Sequence, residues 1–122
     1  MLGWMVRFDF PKAVRLRKRS EFQRVFQEGV VRKDANVVTY ALPTGAATRL
    51  GVVVGRKFKG AVRRNRLKRL IREAFRTVRP ELPPGLDLVV LPREGAKLTV
   101  DGVRESLRRL LARPVTPRKR ES

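Results

Sequence analysis

At 122 residues the chain has room for one domain with a single modest core, and its 42% apolar content excludes a disordered polybasic tail. Thirty Lys and Arg face eleven Asp and Glu, a formal charge of +19. Such an excess repels itself in a compact fold and calls for a polyanionic partner; nucleic acid is the commonest, because neutralised phosphates release condensed counterions.

The absence of Cys excludes disulfides and thiolate metal sites and suits a reducing compartment. The absence of His removes the commonest general base and the commonest transition-metal ligand. Arg outnumbers Lys by 22 to 8, and a guanidinium can grip phosphate bidentately or stack on a base. Met1 to Pro11 carries Trp4, Phe8 and Phe10 but also Arg7 and Asp9, an apolar run too short for a signal peptide. No later stretch approaches membrane-spanning length. A soluble, cytoplasmic protein with no membrane role is expected.

Residues 1–14 read as an N-terminal arm, followed by the basic run Arg15, Arg17, Lys18 and Arg19. Ser20 and Gln23 have capping-box spacing for a short helix from Ser20 to Glu28. Phe22, Val25 and Phe26 share one face of it, and Gly29 stops it. Asn36 to Leu42 predicts a strand, with Val38, Tyr40 and Leu42 on one face and Val37, Thr39 and Ala41 on the other. Val30 to Lys33 has the makings of a separate short strand before it. Pro43, Thr44 and Gly45 predict a turn, and Arg49 to Val54 a strand buried on both faces.

The longest helical signal begins near Ala61. Leu67, Leu70, Ile71, Ala74, Phe75 and Val78 recur at the 3.6-residue period, and Pro80, Pro83, Pro84 and Gly85 end it. Leu86 to Leu91 predicts another buried strand. Thr99 is placed to cap a last helix carrying Val103, Leu107, Leu110 and Leu111. From Pro114 the chain reads as a basic tail. The expected division is an arm over 1–14, one folded domain over 15–113 and a tail over 114–122. The expected fold is α+β, an α-β sandwich with helices on one face of a sheet.

Within residues 56–76 the only acid is Glu73. Asn65, Lys68, Arg69, Arg72 and Arg76 fall on an arc opposite the apolar stripe, with Arg66 on the flank beside Glu73. An ordinary solvated helix face alternates signs in i,i+4 pairs. Like charges this close cost a few tenths of a kcal/mol, about 0.2–0.5 per neighbouring pair, and phosphates lying between them remove that cost. The helix N-terminus adds backbone N–H groups and a positive dipole end beside Arg63, Arg64 and Asn65. Asp34, Glu73, Asp87 and Asp101 are scattered without metal-binding spacing, so the residues suggest no nuclease chemistry of their own.

Here the chain resembles the bacterial ribonuclease P protein family. The resemblance is carried by Arg64, Asn65 and Arg66, followed on the same helix by Lys68, Arg69, Arg72 and Glu73. The preceding Ala61-Val62, the pair Arg56-Lys57, the strand entry Arg49-Leu50-Gly51, the Phe22, Val25, Phe26, Gly29 pattern and Tyr40 also match. It runs from about Arg15 to Leu111. One departure stands out: the family usually has Gly then Asn before the Ala-Val pair, where this chain has Lys59 then Gly60.

The resemblance implies one mostly antiparallel four-stranded sheet packed by three helices, with a left-handed β-α-β crossover where general rules favour a right-handed one. It implies a protein subunit that binds ribonuclease P RNA and the 5′ leader of precursor tRNA. The RNA subunit does the chemistry with Mg²⁺, bound mainly by RNA, and no obligate protein partner is expected. Carried over by position, Arg56, Lys57, Arg64, Asn65, Arg66, Lys68, Arg69 and Arg72 would face RNA. Phe22, Phe26 and Tyr40 would line the leader cleft, where stacking tolerates many base sequences; without the resemblance, core packing accounts for the two phenylalanines equally well. The rival readings are a non-catalytic ribosomal or RNA-assembly protein and a DNA-compacting architectural protein.

Overall fold

The computed structural model describes residues 15–45, 47–113 and 115. The expected arm over 1–14 and all of the expected tail except residue 115 lie outside the described residues.

Helix α1 (Arg19–Glu28) opens one residue before the expected start, and Ser20 does not cap it. Lys18 stands at the N-cap position. Glu21 provides the acceptor instead: its Oε1 accepts from the backbone N–H of Arg17 at 2.9 Å and of Lys18 at 3.0 Å. A carboxylate reaches back further than a serine hydroxyl and brings negative charge to the positive end of the helix. Gly29 ends the helix as expected, but at an ordinary φ of −75°. A Cβ there would lie 2.5 Å from the Val25 carbonyl oxygen and 3.3 Å from the backbone of Ala41. Close approach to the Val25 carbonyl, with the Ala41 backbone next, and not a left-handed turn, makes this position glycine.

Strands β1 (Val30–Lys33), β2 (Val37–Pro43), β3 (Arg49–Val52) and β4 (Leu86–Pro92) form one sheet in the order β1-β2-β4-β3. The first two pairings are antiparallel and β3 runs parallel to β4, so the mostly antiparallel sheet is mixed. Asp34 shapes the β1–β2 turn by accepting from the N–H groups of Asn36 and Val37. β3 stops at Val52, short of the expected Val54, although the Val53 N–H still donates to the Val90 carbonyl.

A parallel neighbour demands a long connection, supplied by helix α2 (Ala61–Val78) and a 3₁₀ turn at Arg79–Glu81 that contains Pro80. Gly60 enters α2 at φ +90° without a side-chain cap. The departure from the family's Gly-Asn therefore falls at the N-cap, where conformational freedom stands in place of an asparagine acceptor. Helix α3 (Val100–Leu110) is capped as expected, Thr99 Oγ1 accepting from the Gly102 N–H at 2.9 Å.

The helices do not share one face, contrary to the simplest expectation. Ile71, Ala74, Phe75 and Val78 of α2 and Val103 and Leu107 of α3 pack with Val37, Ala41, Leu50, Leu88 and Val90. Leu16 and Val25 pack with Leu42 and Val89 on the opposite face, with Phe22, Tyr40, Val53 and Leu91 at the margin. The alternation along β2 and β4 explains this: successive residues point to opposite faces, and both sets are apolar.

Candidate nucleic-acid interface

On α2 the residues turned fully outward include Val62, Asn65, Arg66 and Arg69, opposite the buried Ile71, Ala74, Phe75 and Val78. Lys68 and Arg72 lie half-buried on the flank. Arg66 does not take Glu73; Arg76 does, through Nη2 to Oε2 at 2.6 Å and Nε to Oε1 at 3.1 Å. Arg66 is left on the outward face beside Arg69. Val62, 72% exposed, sits among these polar groups, a surface residue that charge patterning did not single out.

The loop before α2 is fastened to its first turn. Phe58 is buried, the Arg63 guanidinium lies 5.5 Å from its ring centroid, and Arg64 Nη1 donates to its carbonyl at 3.0 Å. Arg64 is thus partly committed to the loop. Arg56 and Lys57 stand exposed on that loop, with Lys57 Nζ 3.8 Å from Glu94.

The electrostatics of this end are one-sided. Each of the nine carboxylates among the described residues lies 2.6–3.8 Å from a Lys or Arg. Those cations are Arg24, Arg49, Lys57, Arg76, Arg104, Arg108 and Arg109. Among the described residues, no acid is therefore paired with Arg56, Lys59, Arg63, Arg64, Arg66, Lys68, Arg69 or Arg72. Burial, and then the neighbouring Arg15 guanidinium, lowers the Arg72 pKa from its usual value. A phosphate set between two such cations relieves both their repulsion and part of the desolvation.

The second part of the surface lies on the α1 side of the sheet. Helix α1 covers Leu42, Gly51, Asp87 and Val89, all buried, while Val38, Tyr40, Leu91 and Val53 are only partly covered and Val31 is 44% exposed. Register places Val31 opposite Tyr40 and Val38 opposite Leu91. Phe26, 36% exposed, meets Tyr40 edge to face with centroids 4.8 Å apart and planes at 83°. Phe26 and Tyr40 therefore stand together at the edge of a partly exposed apolar strip beside α1. Phe22 is half-buried against Gly51 and lies deeper under the helix. Sequence reasoning missed Val38 and Leu91 as members of this strip; the shared face of Val38 and Tyr40 was the available signal. The uncovered half of this face lies toward the ends of β3 and β4, where the loop to α2 leaves the sheet. The apolar strip and the basic helix terminus thus share one end of the molecule.

Among the described residues, no group of three or more His, Cys, Asp or Glu could hold a metal ion. Each described carboxylate already carries a cation, so these side chains do not fit a Mg²⁺ site. Among the described residues, no helix is long and apolar enough to cross a membrane.

Both the sequence and the fold have counterparts among known proteins. A family model described as Ribonuclease P matches residues 10–115. The ribonuclease P protein component of Brevibacillus brevis is 40% identical over 102 residues, 81% of each chain. That of Burkholderia mallei is 50% identical over 82 residues, which span 66% of this chain and 60% of the relative. The solved ribonuclease P protein of Thermotoga maritima superposes with a TM-score of 0.72 at 41% identity, covering 80% of this chain and 94% of that one. Sequence and fold thus agree over nearly all of the described residues, and the chain belongs to the ribonuclease P protein family.

Proposed function

We propose that the chain is the protein subunit of a ribonuclease P, in which it binds the ribonuclease P RNA and the 5′ leader of precursor tRNA. Endonucleolytic removal of the leader, giving the mature tRNA 5′ end, is assigned to the RNA subunit. The observation that carries this reading is the run of cations at residues 56–72, of which all but Lys57 lack an acidic partner among the described residues. Arg66 and Arg69, with Asn65 between phosphate-reaching neighbours, offer a helix face to structured RNA. Arg56, Lys57 and Lys59 extend it around the loop.

The cleft would take the single-stranded leader. Tyr40 and Phe26 present aromatic surface to successive bases, and stacking of this kind discriminates little between sequences. A subunit serving many tRNA precursors needs that tolerance. Mg²⁺ would be bound mainly by the RNA, where it supplies water activation and charge stabilisation. The protein's part is to neutralise phosphates that would otherwise repel one another and to hold the leader still.

Reconstitution tests the reading. Adding the chain to ribonuclease P RNA should restore cleavage of precursor tRNA at Mg²⁺ concentrations where the RNA alone is inactive. No enhancement would turn the assignment toward a ribosomal or assembly protein. Equal affinity for duplex DNA and structured RNA at matched salt would turn it toward DNA compaction.

A further inference from the structure

Arg49 stands at the first position of β3, opposite Asp87 in the parallel ladder. Its guanidinium grips Asp87 at two points, Nε to Oδ1 at 2.9 Å and Nη2 to Oδ2 at 2.8 Å. The remaining arm, Nη1, donates to Glu21 Oε2 at 2.9 Å. The other oxygen of Glu21 is the one that accepts from the N–H groups of Arg17 and Lys18. One carboxylate thus closes the first turn of α1 and ties it to the sheet.

The remaining contacts of α1 with the sheet are largely apolar. Val25 and Phe22 rest on Leu42, Val89 and Gly51, and apolar packing of that kind is non-directional. A forked guanidinium held at three points is directional and accepts little rotation. A partly buried ion pair of this sort contributes little net stability compared with an apolar pair of the same volume; what it supplies is a fixed geometry. Phe26 lies on the same helix, and its edge-to-face contact with Tyr40 at 4.8 Å depends on how α1 is rotated.

We propose that Arg49, acting through Glu21, is a positioning residue for the aromatic cleft: it sets the rotation of α1 and hence the spacing of Phe26 from Tyr40. The inference rests on the leader-binding reading of that cleft. Removing the tether leaves α1 sampling orientations of which only a fraction are competent. Apparent affinity for leader-bearing substrate falls in proportion to that fraction.

The test uses the complex reconstituted with ribonuclease P RNA and compares precursor tRNA with mature tRNA. Glu21→Gln keeps an oxygen for the two backbone N–H groups and leaves the Arg49–Asp87 pair intact. The pair Arg49→Met with Asp87→Leu removes both charges together, so that Asp87 is not left buried without its partner, and Glu21 Oε2, partly exposed, turns to water. Each should weaken precursor tRNA binding about five-fold, corresponding to a competent fraction near one fifth. Affinity for mature tRNA and for the RNA subunit should stay unchanged. Combined with Tyr40→Ala, Glu21→Gln should add less than its separate effect, since both act on one cleft.

Equal losses on precursor and mature tRNA, or full additivity with Tyr40→Ala, would overturn the positioning role while leaving the cleft reading standing. If Tyr40→Ala itself shows no preference for precursor, the cleft reading fails and the positioning role with it.

Discussion

Phe22 occupies the space that a side chain at residue 51 would need: a Cβ built on Gly51 would lie 2.7 Å from Phe22 Cζ and 3.2 Å from a Leu16 methyl. The first helix reaches its seat on the sheet because this strand residue has no side chain. Gly51→Ala should therefore destabilise the fold by about 1–3 kcal/mol, the usual cost of overfilling a packed site. Gly55→Ala, where nothing lies within 4 Å and φ is not in the left-handed region, should stay close to wild type. Urea denaturation of the two variants separates these outcomes, and equal midpoints would contradict the packing account.

How far the sequence predicted this arrangement varies with the range of the interaction. The period of Leu67 to Val78 set out α2, and Thr99 capped α3 as its spacing required, because both signals are local. The alternating apolar sets on β2 and β4 are visible in the sequence, yet the simplest expectation put the helices on one face, because alternation alone does not say which helix covers which side. Gly51 reads as part of an apolar run until Phe22 is seen against it, 29 positions away in sequence. The Arg49–Asp87 pairing spans 38 residues and had no sequence signal beyond the charges themselves. On the basic helix, the periodicity found the buried stripe but put Lys68, Arg72 and Arg76 on the outward arc, where they are half-buried, and Arg66 on the flank, where it is exposed. It could not show that Arg76 takes Glu73 or that Arg64 turns back to Phe58.

Arg66→Ala and Arg69→Ala should each weaken binding to the RNA subunit, because both side chains stand outward with no acid beside them among the described residues. If each contacts one phosphate, the slope of log affinity against log salt should become shallower by about 0.7–0.9. Arg76→Ala, which removes a side chain paired with Glu73, should change the slope less. Filter binding across a salt series reads all three, and an unchanged slope for Arg66 and Arg69 would argue against the outward face as the RNA contact.

Glu21 links stability to acid. Its pKa is lowered from 4.5 to about 2, first by the backbone N–H of Lys18, then by that of Arg17, with Arg49 adding to them against the opposing effect of burial. A carboxylate whose folded pKa lies below its unfolded value stabilises the fold fully above the unfolded pKa. That contribution is lost as pH falls through the folded one. Wild type should therefore lose its advantage over Glu21→Gln progressively between pH about 4.5 and about 2. Denaturation midpoints of the two proteins, compared across that window, should converge toward the acid end. A constant difference would show that Glu21 contributes by packing alone.

Tyr40 carries the sharpest test of the cleft. Its ring is partly exposed, braced by Phe26 at 83°, and flanked on the sheet by Val31 and Val38. Tyr40→Ala removes the platform and should reduce affinity for precursor tRNA by about 1–3 kcal/mol, the worth of one base–aromatic stack. Mature tRNA, which has no leader to stack, should bind as before. Tyr40→Phe keeps the ring and should retain most of the affinity; a loss as large as that of Tyr40→Ala would mean that the phenol hydroxyl, not stacking, makes the contact. Equilibrium binding of both tRNA forms to the reconstituted complex distinguishes these outcomes. An equal loss on precursor and mature tRNA would place the leader elsewhere on the protein.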